Sequence, residues 1–182
     1  IFVGTCDIAG HVRGKGFPAR ELTARKKQGI GWTHSNLMQN AFGVILDTPF
    51  GTGGDLMVVP DMNAEVRVDF DDGSAVEHFF LGDIRNTDGS AWECCPREFL
   101  RRAIAALDAA SGLHLIAAFE QEFVYTGVEE RPGHAYSLGA WRRQGEFGES
   151  VVAALRAAGL KPDSFLPEYG PRQYELTIGP QP

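Results

Sequence analysis

The sequence predicts an α+β fold in two units, spanning residues 1–90 and 91–182, and three observations lead there. Residues 1–90 hold one helix-like segment among several strand-like ones, the signature of a small α+β unit. A proline-started segment near Cys95-Pro96 then repeats apolar residues at helical spacing. After it, strand periodicity returns, and the last segment, Gln173–Ile178, alternates cleanly.

Each element has its own signal. Ile1–Ile8 is apolar and strand-like and ends at the turn Ala9-Gly10. His11–Gly16 reads as a glycine-spaced basic loop. Pro18 opens a helix over Ala19–Gln28 that Gly29 ends. Residues 30–54 carry no clear period and close on the loop Thr48–Gly54. Three strands follow, Leu56–Val59, Glu65–Phe70 and Glu77–Ile84, separated by turns at Pro60-Asp61 and Asp71-Asp72-Gly73. Phe99, Leu100, Ala103, Ile104 and Leu107 mark the second unit's first helix, capped by Gly112. Leu113–Tyr125 reads as a long strand, Thr126–Arg142 as loop, and Glu146–Ala158 as a helix. Two short strands flank Glu168.

Composition narrows the function classes. With 43% hydrophobic and 23% charged residues, the 182-residue chain can bury a core without disulfides. A net charge of −7 argues against nucleic-acid partners. Three cysteines, Cys6 and the adjacent Cys94 and Cys95, give neither a disulfide framework nor zinc spacing, so a cytoplasmic protein is expected. No apolar run suits a membrane span, and no signal peptide is evident. Both ends read as cut, which suggests a piece of a longer chain. Gly51-Thr52-Gly53-Gly54 lacks the lysine and helix of a phosphate-binding loop. The five histidines show no ligand spacing, and Phe79, Phe80, Phe99 and Phe123 read as core.

Carboxylates are the candidates for chemistry. In a strand, Glu120 and Glu122 point to one face, with Ile116, Ala118 and Val124. Two carboxylates on a mostly apolar face repel and lose hydration, and a hard divalent cation, Mg²⁺ or Mn²⁺, relieves both costs. A turn at Gly170-Pro171 can bring Glu168 near Glu175.

These segments resemble the glutamine synthetase family. The resemblance rests on Glu120-Gln121-Glu122-Phe123, on Glu168 through Gln173-Tyr174-Glu175, on Gly10-His11-Val12-Arg13-Gly14-Lys15, on Asp55 through Pro60-Asp61, and on Pro96-Arg97 with its helix. Five motifs in the family's order span nearly the whole chain, and their agreement makes the resemblance specific.

The resemblance implies a β-grasp-like N-terminal domain followed by the start of a catalytic domain with a curved antiparallel sheet. It implies that Glu122, Glu168 and Glu175 hold one metal ion and that Glu120 contributes to a second. The implied reaction uses ATP, glutamate and ammonia or an amine, through a γ-glutamyl phosphate. Family members form rings, so a homo-oligomer is expected of the full-length protein, with Asp55 a candidate at a subunit interface. The Asp-Gly-Ser-Ser segment of ammonia-using members is missing; Leu46-Asp47-Thr48-Pro49-Phe50-Gly51 stands in its region. A γ-glutamyl-polyamine or other amine ligase fits that departure. The piece alone is expected to be inactive. The competing reading is a non-catalytic binding or structural assembly protein on the same fold, and retention of all four glutamates argues against it.

Overall fold

The computed structural model describes residues 1–51 and 53–182; Thr52, in the loop Thr48–Gly54, lies outside the described residues. The chain divides into two compact units. The first holds residues 1–67 and 77–113, and the second holds 68–76 and 114–182.

The first unit is built on a mixed five-stranded sheet. Strands β1 (Phe2–Cys6) and β2 (Val12–Gly16) form an antiparallel hairpin. A short 3-10 turn leads into α1 (Leu22–Gln28), and β3 (Ile30–Trp32) follows. The long strands β4 (Leu56–Val68) and β5 (Glu77–Asn86) complete the sheet in the order β2-β1-β5-β4-β3. β1 and β5 run parallel at its centre, and a helix lies in the connection between them, as the β-grasp arrangement requires.

Two readings change in this sheet. Residues 12–16 are a strand rather than a loop; their register against β1 supplies backbone partners that the charged, glycine-spaced sequence does not advertise. Gly4 and Gly14 face each other across that pair, and a Cβ on Gly14 would stand 1.9 Å from the Val3 carbonyl oxygen, so the backbones approach where no side chain fits. Pro60 does not end a strand. It sits buried inside β4 and continues the inward alternation of Leu56 and Val58, its fixed φ being compatible with extended backbone.

The core gathers Val3, Ile30, Trp32, Leu37, Leu56, Val58, Phe80, Ile84, Trp92 and Cys95. All three cysteines are free, and the Cys95 thiol accepts a hydrogen bond from the Ile84 amide at 3.2 Å.

Helix α2 (Pro96–Ser111) forms as its proline start and left-handed Gly112 cap predict. Its apolar stripe is not core: Phe99 is 65% exposed, and Leu100, Ile104 and Leu107 are exposed too. Polar contacts hold the helix instead. Arg97 and Arg101, one turn apart, both bond Asp61 of β4 and Asp83 of β5.

The second unit holds an antiparallel sheet of β6 (Ala117–Val124), β7 (Pro162–Pro167) and β8 (Gln173–Gln181), with β8 in the middle. The segment read as loop over 126–142 contains the start of α3 (Leu138–Arg143), whose N-terminus Ser137 caps by accepting from the Ala140 amide. α4 (Phe147–Ala157) follows. One sheet face is aromatic: Phe123, Phe165 and the fully buried Tyr174 pack with Phe147 of α4. The Tyr174 hydroxyl donates to the Ala140 carbonyl at 2.8 Å, so α3 is fixed on this face as well. Among the described residues no helix is long and apolar enough to cross a membrane.

Candidate functional site

The ladder between β6 and β8 decides which carboxylates meet. Glu122 pairs with Glu175 and Glu120 with Thr177, so all four side chains stand on the face opposite the aromatic one. The face around Glu120 and Glu122 is therefore polar across the strands, not apolar as their own strand suggested. Leu166 of β7 flanks Glu175 on its other side.

Glu168 enters from the turn after β7. Its amide donates to the Gln173 carbonyl at 2.8 Å, and the Gln173 amide donates back to the Gly170 carbonyl at 3.1 Å. The turn folds because Gly170-Pro171 reverses the chain between two strands already in register. Glu168 and Glu175 are both buried at 8% exposure and share a hydrogen bond.

Two neighbouring carboxyl groups influence each other's titration, and their surroundings differ. The Tyr136 hydroxyl donates to Glu168 at 2.7 Å and, despite burial, holds its carboxyl below the usual range. Burial pushes the Glu175 carboxyl up, and its neighbours Glu168, Glu120 and Glu122 push it further. The two carboxyls are thus shifted in opposite directions. The same bond to Glu168, with burial, pushes the Tyr136 phenol up to about 12.

Oxygen donors of this kind suit Mg²⁺ or Mn²⁺, and a cluster whose mutual repulsion raises a carboxyl is one that a cation would relieve. The chemistry of the donors fits such an ion, but their present placement does not gather them around one point. Among the described residues, no three His, Cys, Asp or Glu side chains are gathered closely enough to hold one as they stand. Glu168 is engaged by Tyr136 and by the Tyr169 amide, and Glu122 by the Gln173 side chain. Asp55 is exposed, immediately ahead of β4, and belongs to the first unit.

Sequence reading missed Tyr136, set His134 aside, and quoted Gln173 only as part of a motif without giving it a role. Tyr136 sits in the segment read as loop and holds a left-handed backbone, φ 51°, rare for a tyrosine. His134, passed over for want of ligand spacing, is almost fully buried and bonds the Gln173 carbonyl through Nε2 at 3.0 Å. These contacts join residues 32 to 51 positions apart, and no local spacing encodes them.

Known families align with this arrangement. Residues 1–92 match the model of the glutamine synthetase N-terminal domain, and residues 93–182 match that of the glutamine synthetase catalytic domain. The chain belongs to the glutamine synthetase family. Within that family it is 28% identical to the gamma-glutamylpolyamine synthetase GlnA3 of Streptomyces coelicolor, over 98% of this chain and 40% of that protein. It is 27% identical to a glutamate–isopropylamine ligase of a Pseudomonas species, over 98% of this chain and 42% of that protein. A solved structure described as a novel glutamine synthase homolog superposes with a TM-score of 0.89 at 41% identity, covering 99% of this chain and 43% of its own. The chain thus spans about two fifths of the length of the curated relatives it matches.

Proposed function

We propose that the protein to which this chain belongs is an ATP-dependent ligase that joins an amine to the γ-carboxylate of glutamate. The observation that carries the reading is the acidic face itself, where Glu122 stands opposite Glu175, and Glu168 and Glu175 are both buried. Family membership supports the reaction class, and the relatives named for polyamine and isopropylamine substrates support an organic amine as the acceptor. In this reading glutamate takes the terminal phosphoryl group of ATP, releasing ADP, and the amine nitrogen then displaces phosphate. Glu122, Glu168 and Glu175 would hold one Mg²⁺ or Mn²⁺, and Glu120 would contribute to a second. Bound metal ions supply charge neutralisation for the transferring phosphoryl group. The residues of this chain provide the anionic face and the Tyr136 hydroxyl that orients Glu168.

Three further points belong to the same proposal. The N-terminal domain covers residues 1–90 and the catalytic domain begins at 91. The full-length protein is a cytoplasmic homo-oligomer in which Asp55 lies at a subunit interface, and the 182-residue chain alone is inactive. The test is phosphate release by the full-length protein with ATP, glutamate and a panel of ammonia, isopropylamine and a polyamine. Release that requires an organic amine, with the γ-glutamyl amide as product, is expected. No release with any amine would leave the non-catalytic relative as the better reading.

A further inference from the structure

Gln173 makes a hydrogen bond with every polar group it has. Its amide N–H donates to the Gly170 carbonyl, and its carbonyl accepts from the Glu168 amide and from His134 Nε2. Its side-chain oxygen accepts from the Gly170 amide at 2.9 Å, and its side-chain nitrogen donates to Glu122 Oε2. The two ends of the side chain are chemically sorted, since a backbone N–H needs an acceptor and a carboxylate needs a donor. The side-chain amide meets both demands at once; an ionised glutamate at 173 could not donate to Glu122, and a lysine could not accept from Gly170.

The support beneath it is buried. Arg143 donates from Nη2 to His134 Nδ1 at 3.1 Å, so Nδ1 is the acceptor nitrogen and Nε2 carries the proton given to the Gln173 carbonyl. The His134 ring also packs edge-on against the fully buried Tyr174, the next residue along β8. The backbone of Gln173 is thereby fixed from the packed side of the sheet while its side chain reaches to the acidic side. One residue links the three segments that carry Glu122, Glu168 and Glu175.

We propose that Gln173 is the positioning residue of the acidic face: its side-chain amide holds one oxygen of Glu122 and so sets the placement of that carboxylate for a divalent cation. The proposal rests on the metal-site reading under Proposed function. Partners that orient a ligand in this way typically change metal affinity ten- to hundred-fold when removed.

The test is Mn²⁺ affinity of the full-length protein by calorimetry, with thermal melting in parallel, for Glu122→Gln, Gln173→Met and the double variant. Gln173→Met is expected to weaken Mn²⁺ binding about ten- to hundred-fold, with melting lowered by no more than about 4 °C. Because Gln173 acts through Glu122, the double variant should bind within about twofold of Glu122→Gln alone. Gln173→Asn keeps the amide but is a methylene shorter, and it is held to the same criterion if the Met variant melts early. Additive losses in the double variant, or unchanged affinity in Gln173→Met and Gln173→Asn while Glu122→Gln weakens, would overturn the positioning role and leave the metal site standing. Unchanged Mn²⁺ binding in Glu122→Gln would remove the metal reading itself and the proposal with it.

Discussion

The two units each gather four charged side chains from separate segments, and they do so to opposite ends. In the first, Asp61 and Asp83 meet Arg97 and Arg101, two anions with two cations. In the second, Glu120, Glu122, Glu168 and Glu175 meet one another, and their hydrogen-bond donors are neutral: a phenol, an amide side chain and a backbone N–H. The carboxyl groups respond accordingly. Burial pushes Asp83 upward, but hydrogen bonds from Arg101 and Arg97 hold it below 3.8. Glu175 is pushed above its ordinary value by burial and by three like neighbours. A compensated cluster ties α2 to a sheet. An uncompensated one costs stability in the free chain, and the cation proposed above would offset that cost.

The comparison can be sharpened from its largest effect downward. Glu175→Ala in the full-length protein should weaken Mn²⁺ binding by more than the roughly hundred-fold expected of an outer partner, as read by calorimetry; an unchanged isotherm would erase the contrast. Asp83→Asn should destabilise the first unit by about 2 kcal/mol in chemical denaturation, since charge-assisted bonds from both arginines are lost. Loss of a few tenths of a kcal/mol would reduce the cluster to ordinary surface ion pairs.

Acid should separate the clusters next. A lowered folded-state carboxyl gives stability that is present above its unfolded value and lost as pH falls through the folded one. Melting temperature should therefore drop as pH falls below 3.8, and Asp83→Asn should flatten part of that drop, with Asp7, held low by Arg13 and the His11 and Ala9 amides against the upward push of burial, accounting for another part. Glu175 has the reverse sign: its raised carboxyl makes the fold lose stability as pH rises beyond 4.5. The smallest effect follows, a melting temperature for Glu175→Gln at pH 7 at or slightly above that of the parent. A clear decrease would mean that Glu175 supports the fold.

Much of this was legible in the sequence where a signal is local. Pro96 and Gly112 bracket α2, and the alternation of Gln173–Ile178 falls within β8. The Glu-x-Glu spacing places two carboxylates on one face. What was not legible is pairing. Nothing local says that Glu122 stands opposite Glu175, or that Arg97 reaches Asp61 across 36 residues. β2 was hidden because glycine and charge lack strand propensity, and α3 because six residues are too few to show a period. Helical spacing also promised burial to Phe99 that its own unit does not give.

Gly14 carries a consequence for mutational scans. Its partner strand leaves no room for a single carbon, so every substitution there should be lost from a library selected for folded protein. Gln173, with its side chain reaching toward the acidic face, should tolerate some changes in such a library and fail only under selection for metal affinity. Ranking positions by intolerance alone would point to the β1–β2 hairpin and pass over the carboxylates; only the difference between the two selections would map the site.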